Sequence, residues 1–253
     1  MSIEDYYFSQ KGVPRMGKMF FLRDLQEADS PGGGRSLLGS VVQEVREKIL
    51  GIIVTQEYPV PMHMSAPGVV FKVIDSMRNQ LGFSGSEPII LPQILAAAQR
   101  SVTIKRKYMF GAGAGPFPSV PVNLGIDVDY GRAREVTLSF GEGTRREYIP
   151  QGYIARLYKH VGGDPASIDV TLAENSVVTS ILVAKNFKVT FESEEKLDSE
   201  FEAKLNNFAS LPDIGTEVVY KMEDKNKVIA QVSGKIEYLV GLAVRDWDDF
   251  DLT

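Results

Sequence analysis

Cysteine is absent from the 253 residues, and this one absence excludes disulfides, thiolate metal ligands, a cysteine nucleophile and a palmitoyl anchor. A chain of this size without cysteine fits a reducing, cytosolic home. Histidine is nearly as scarce, with two copies, His63 and His160. The first lies in a proline-rich stretch and the second near a predicted helix end, where structural or solvated roles are more ordinary than acid–base or metal chemistry. Long apolar runs are also missing. One of the longest, Ile49 to Val54, is interrupted by Gly51 and falls far short of the roughly 20 residues that a spanning helix needs. Glu4 and Asp5 stand where a secretory signal carries positive charge, and Ser2 offers no myristoylation glycine. If this chain crosses a membrane, it must use strands.

The remaining composition is that of a folded protein. Hydrophobic residues make up 43% of the chain and the net charge is -5, from 28 basic and 33 acidic residues. That affords a sizeable core and gives no bulk attraction to nucleic acid. No catalytic constellation emerges. The GAGAG at 111–115 lacks the Gly-Lys-Ser/Thr of a phosphate loop and the spacing of a dinucleotide fingerprint. No serine sits in a G-x-S-x-G elbow. Asp127 and Asp129 share one side of a predicted strand, which suits either a hard cation or a solvated strand face. The expectation is a protein that is not an enzyme and holds no metal or cofactor.

Periodicity predicts an α+β fold, a twisted, mainly antiparallel sheet with flanking short helices, in one domain over 1–253. Ser40 with Gln43 forms a capping-box pattern, and Val41, Val42, Val45 and Ile49 follow at helical spacing, so 41–50 is predicted helical and 52–58 a strand. Pro67 followed by Val70, Ile74, Met77 and Leu81, with Gly82 beyond, predicts a second helix, and Pro92 to Arg100 a third. Ile154, Leu157, Tyr158 and Val161 before Gly162 predict another, and Asp164 with Pro165 one more.

From Ser101 the period changes to two, with Val102, Ile104, Tyr108 and Phe110 alternating against polar positions. Every even position from Val120 to Phe140 is apolar or aromatic except Arg132 and Arg134. Fully extended, that run is roughly 70 Å long at about 3.3 Å per residue, against about 17–20 Å for a usual strand. It either bends into two strands or is built to extend. Alternation returns at Val177, Ile181, Val183, Phe187, Val189 and Phe191, again from Val218 to Val232, and again from Ile236 to Val244. An acidic segment with Leu197, Phe201, Leu205 and Phe208 at helical spacing separates the first two sets. Spanning strands need only about 9–11 alternating residues, closed so that no backbone group is orphaned in lipid. A soluble sheet with one wet face satisfies the same alternation.

Basic residues adjoin aromatics in two places. Lys105, Arg106 and Lys107 lie beside Tyr108, Phe110 and Phe117, and Lys11, Arg15, Lys18 and Arg23 surround Phe20 and Phe21. This chemistry suits an anionic lipid surface, where each cation contributes on the order of 1 kcal/mol, and it equally suits a lysine-guarded sheet edge.

Five stretches carry a resemblance. NSVVTSILVAKNFKVTF at 175–191, the acidic insert after it and GKIEYLVGLAVRDW at 234–247 resemble the second half of the gasdermin pore-forming domain. LGIDVDYGRAREVTLSF at 124–140 resembles the first pore-hairpin region of bacterial gasdermins, and GKMFFLRDL at 17–25 their early strand and loop. In size the chain is most similar to the short gasdermin-like regulators of cell death of filamentous fungi. The resemblance implies a cytoplasmic protein that binds acidic phospholipids such as cardiolipin or phosphoinositides, oligomerises, and permeabilises the plasma membrane to kill the cell. It implies that the runs around 102–130 and 179–232 refold into two transmembrane β-hairpins. Phe20, Phe21, Tyr108, Phe110, Phe117, Val120, Val122, Leu124, Ile126, Val128, Ile181, Val183, Val228 and Val232 would then enter lipid, and Asp127 and Asp129 would face the lumen. The chain ends nine residues after Val244, so no C-terminal inhibitory domain is expected. The expected trigger is co-assembly with a sequence-divergent allelic variant, as in allorecognition, rather than proteolysis. The competing expectation is a soluble β-rich lipid-binding or scaffold protein that forms no pore.

Overall fold

A computed structural model of the chain describes residues 18–29, 34–48, 55–62, 64–97, 100–105, 133–193 and 216–251. Its twelve strands run Lys18–Glu27 (β1), Val41–Lys48 (β2), Thr55–Pro61 (β3), Leu91–Ile94 (β4), Ser101–Lys105 (β5), Ala133–Phe140 (β6), Arg145–Tyr148 (β7), Ser176–Ala184 (β8), Phe187–Ser193 (β9), Thr216–Asp224 (β10), Lys227–Gly234 (β11) and Tyr238–Asp246 (β12). They form two antiparallel sheets. The larger has seven strands in the order β1-β12-β8-β2-β3, with β7 on β8 and β4 on β7; the smaller has five, in the order β10-β11-β9-β6-β5. The α+β class with short flanking helices holds, with two sheets in place of one.

Strand β8 organises the larger sheet. Its sequence SVVTSILVA has no alternation, and all nine residues are buried, as expected of a strand covered on both faces. It pairs along its length with β12 and shares its other edge between β2 and β7. Helix Val69–Ser76 (α1) presents Val70 and Ile74, and helix Gln151–His160 (α2) presents Ile154 and Leu157, to the core. With Val177, Val178, Ile181, Val183, Leu239, Leu242 and Val244 from the strands they form the main hydrophobic cluster. Trp247, in the 3-10 turn Trp247–Phe250, joins this cluster, packs on Tyr158 at 5.2 Å and donates to the Gly163 carbonyl at 3.1 Å.

Both predicted helices that open on apolar periodicity after Pro67 and around Ile154 are present, the first ending at Ser76 and followed by a turn to Gly82. Three other predictions are corrected. Residues 41–48 are strand, not helix, because β-branched Val41, Val42 and Val45 sit in a segment paired with β3 along its length and with β8 at its start. The Ser40 hydroxyl, expected to cap that helix, instead accepts the Gly68 N–H at 2.7 Å, next to the start of α1. Leu91–Ile94 is also strand; Pro92 is tolerated because β4 is an edge that pairs only with β7. Asp164 caps only a single 3-10 turn, Pro165–Ser167, accepting the Ala166 N–H at 3.0 Å. The predicted strand 52–58 is found as β3 from Thr55. The acidic helical segment around Leu197–Phe208 lies outside the described residues.

Candidate membrane-insertion sheet and its hinge

Burial alternates along β9 and β11 of the smaller sheet. Along β9 and β11, Phe187, Val189, Val228, Ala230 and Val232 are buried, whereas Lys188, Thr190, Glu192 and Lys227 are half-buried and Gln231 is exposed. The register explains the segregation: Val228, Ala230 and Val232 lie opposite Phe191, Val189 and Phe187, and Leu138 and Phe140 of β6 lie opposite Val189 and Phe187. Because side chains change face at every residue, this register gathers the apolar side chains on one face. The other face is a shallow groove lined by Glu135, Thr137, Ser139, Lys188, Thr190 and Glu192 with Lys227. Across it the Thr103 and Thr137 hydroxyls bond at 3.0 Å and Lys227 pairs with Glu223 at 2.6 Å.

Strand β5 ends and β6 begins at the same end of this sheet, since Lys105 lies opposite Glu135. The segment 106–132 therefore leaves and returns at that end. Strand β9 also ends there, with Glu192 opposite Lys227, and so does the tight β10–β11 turn. At the other end the chain crosses between the sheets four times, at β4–β5, β6–β7, β8–β9 and β11–β12.

Three of the four crossings converge on Asn186. Its carbonyl accepts the Gly141 N–H at 2.7 Å, and its side-chain oxygen accepts the Gly234 N–H at 3.2 Å. A Cβ on Gly141 would stand 2.9 Å from that carbonyl, so only glycine allows this approach. Beside Asn186 lies a charge cluster. Arg145, which opens β7, donates to the Glu237 carboxylate at 2.6 and 2.7 Å and to Glu147 at 2.8 Å. Arg35, from the 3-10 turn Gly34–Leu37, donates to Glu147 at 2.8 and 3.0 Å, to Glu237 at 2.6 Å and to Asp29. Lys185 stands 3.6 Å from Glu237. Glu147 and Glu237 are only 8% and 17% exposed at the side chain. Charge-assisted, bidentate bonds of this kind are the strong ones. Hydrogen bonds from Arg145 and then Arg35, against the opposing effect of burial, hold the Glu237 carboxyl down at about 2; the bond to Glu147 above all raises the Arg35 guanidinium, and the bonds to Glu237 raise that of Arg145. Nothing in the sequence pattern singles out this cluster, because Glu237 stands 92 positions from Arg145 and 202 from Arg35. The nearest signal is Arg145 and Glu147 on one parity of a short strand.

Of the residues expected to meet lipid, Val228 and Val232 lie on the apolar face of the small sheet, fully buried in this conformation. Ile181 and Val183 lie across the β8–β9 crossing, in the core of the large sheet. The run from Val177 to Phe191 is thus two strands, broken at Lys185 and Asn186, and not one. Lys105 closes β5, and Lys18, Phe20, Phe21 and Arg23 belong to β1, paired with β12. Lys11, Arg15, Arg106, Lys107, Tyr108, Phe110, Phe117, Val120, Val122, Leu124, Ile126, Val128, Asp127, Asp129, the GAGAG stretch and His63 lie outside the described residues. Among those described, no helix is long and apolar enough to cross a membrane and no three His, Asp or Glu side chains are grouped to hold a metal.

The fold is that of a two-sheet, non-barrel protein in which one sheet is embedded in a core and the other, amphipathic sheet hangs from it at a hinge. Comparison with protein families matches residues 70–244 to the bacterial gasdermin family. The chain therefore belongs to that family, whose members are not enzymes but pore-forming cell-death proteins that oligomerise and bind membrane lipids. No curated protein matches the chain. Among solved structures it is similar to a bacterial gasdermin from Bradyrhizobium tropiciagri, at 10% identity and a TM-score of 0.36, with 90% of this chain and 81% of that one covered.

Proposed function

We propose that this protein binds acidic phospholipids such as cardiolipin or phosphoinositides, oligomerises with an incompatible allelic variant and opens the plasma membrane, killing the cell in allorecognition. Family membership supports the pore. The observation that carries the reading within this chain is the small sheet: a separate five-stranded sheet in which β9 and β11 alternate, linked to the large sheet by four crossings at one end, with β5 ending and β6 beginning at the other. Strands of this pattern can exchange a protein core for lipid on one face while keeping the other wet. Val228 and Val232 then turn toward lipid together with the even positions Val120 to Val128, and the Lys188, Thr190 and Glu192 face lines the lumen. Ile181 and Val183 remain with the large sheet. The basic residues at 11–23 and 105–107 dock on lipid headgroups, and the protein rests in the cytoplasm before activation. The allelic partner rests on the resemblance to the fungal cell-death regulators.

Dye release from liposomes containing cardiolipin or phosphoinositide, with and without a sequence-divergent variant, tests this directly. Leakage is expected with both variants together, and Leu124→Lys or Ile126→Lys is expected to abolish it while the soluble fold persists. Lipid binding without leakage identifies a lipid carrier. Strong leakage by one variant alone removes the allelic trigger.

A further inference from the structure

The charge cluster at the base of the small sheet is not among the residues assigned to lipid or to a pore lining, yet it stands where the crossings meet the large sheet. Glu237 belongs to the β11–β12 crossing and Lys185 to the β8–β9 crossing. Arg35, Arg145 and Glu147 come from the large-sheet side, Arg145 opening β7 where the β6–β7 crossing arrives. Three cations, Arg35, Arg145 and Lys185, face three anions, Asp29, Glu147 and Glu237, so the cluster is neutral only when complete. The backbone holds the same points: Ala28 N–H donates to the Glu237 carbonyl at 2.7 Å and Arg35 N–H to the Ala28 carbonyl at 2.8 Å. Gly34, at φ +57°, makes that possible, because a Cβ there would fall 1.9 Å from the Ala28 carbonyl oxygen.

We propose that this cluster, with Asn186 beside it, is a latch that fixes the crossings at the base of the small sheet and sets the threshold for that sheet's release. The inference rests on the pore reading for its purpose, though not for its test. The β6–β7 crossing enters the large sheet at Arg145 of β7, and the β11–β12 crossing enters it beside Glu237, so the cluster pins both points of entry. Any pull by the small sheet that separates these two points draws the guanidinium from the carboxylate. That separation leaves charges in a half-buried setting, where a lost partner costs far more than the intact pair contributes. The latch is therefore stiff when complete and fails as a unit when one member is removed. It also explains why Glu237, a carboxylate held by two guanidinium groups, sits in a connection between strands and not in the core.

The test uses the full chain carrying Glu237→Gln or Arg35→Gln, the second at a more exposed site so that folding is retained. Hydrogen exchange is followed in solution without lipid, and dye release from cardiolipin liposomes, with the sequence-divergent variant added, is followed in parallel. For Glu237→Gln, amides at Gly141, Gly234 and along β9 and β11 are expected to exchange about tenfold faster, with a smaller effect for Arg35→Gln, while β8 and β12 keep their protection. Leakage is expected to begin sooner. Unchanged exchange, uniform acceleration through both sheets, or loss of the whole fold in both variants would overturn the latch. Local loosening in a variant that leaks no faster than a leaking wild type would overturn it too. Local loosening when neither wild type nor variant leaks supports the latch and counts against the pore reading instead.

Discussion

The two sheets differ in one elementary property, the number of faces each strand buries. In β8 all nine residues are buried, whereas in β11 burial alternates residue by residue. A strand buried on both faces has no alternative environment as good as its own core, so it serves as scaffold. An alternating strand needs only one apolar neighbour, and either protein or lipid will do. The hinge lies where these regimes meet, and it is there that the chain concentrates its ion pairs.

The sharpest way to break this comparison is to truncate the same kind of side chain on each side of it. Ile181→Ala, in the core of the large sheet, is expected to cost about 2–5 kcal/mol, enough to threaten the fold of the whole protein in a thermal or urea melt. Acid titration probes the junction at intermediate size. Glu237 has a folded value near 2 against an ordinary 4.5, so its contribution is complete above the ordinary value and is lost as pH falls through the interval toward 2. Wild type should lose stability in that interval more steeply than Glu237→Gln, which at neutral pH is itself less stable by about 1.5–3 kcal/mol. Parallel curves would show that Arg145, Arg35 and Lys185 do not hold this carboxylate. The smallest effect belongs to the wet face of the small sheet. Gln231→Ala is expected to shift the melt by no more than about 0.5 kcal/mol.

Much of this contrast is legible in the residues. The unbroken SVVTSILVA of β8 against the alternating KVIAQVSG of β11 is visible without coordinates, as are α1 and α2, bracketed by proline and glycine. Two segments mislead for physical reasons. Val41, Val42 and Val45 satisfy helical spacing and strand propensity at once, and only the presence of β3 and β8 as partners decides between them. Pro92 opens helices and also tolerates sheet edges, and pairing with β7 decides that case. The break at Lys185 and Asn186 falls inside an apparently continuous pattern, so Ile181 and Val183 read like neighbours of Phe187 although they belong to the other sheet. The latch is invisible in sequence, because its members meet only through the crossings.

The absence of cysteine provides a clean background for the most direct test of hinged release. Spin labels at Lys225→Cys, in the exposed β10–β11 turn, and Lys72→Cys, exposed on α1, report the distance from the free end of the small sheet to the scaffold. Extension by even four residues moves that end by about 13 Å. On leaking cardiolipin liposomes the measured distance should change by at least about that much, while a control pair at Lys72→Cys and Lys159→Cys, across α1 and α2, stays fixed. An unchanged Lys225–Lys72 distance during leakage, or an equal change in the control pair, would contradict release of one sheet from a standing scaffold.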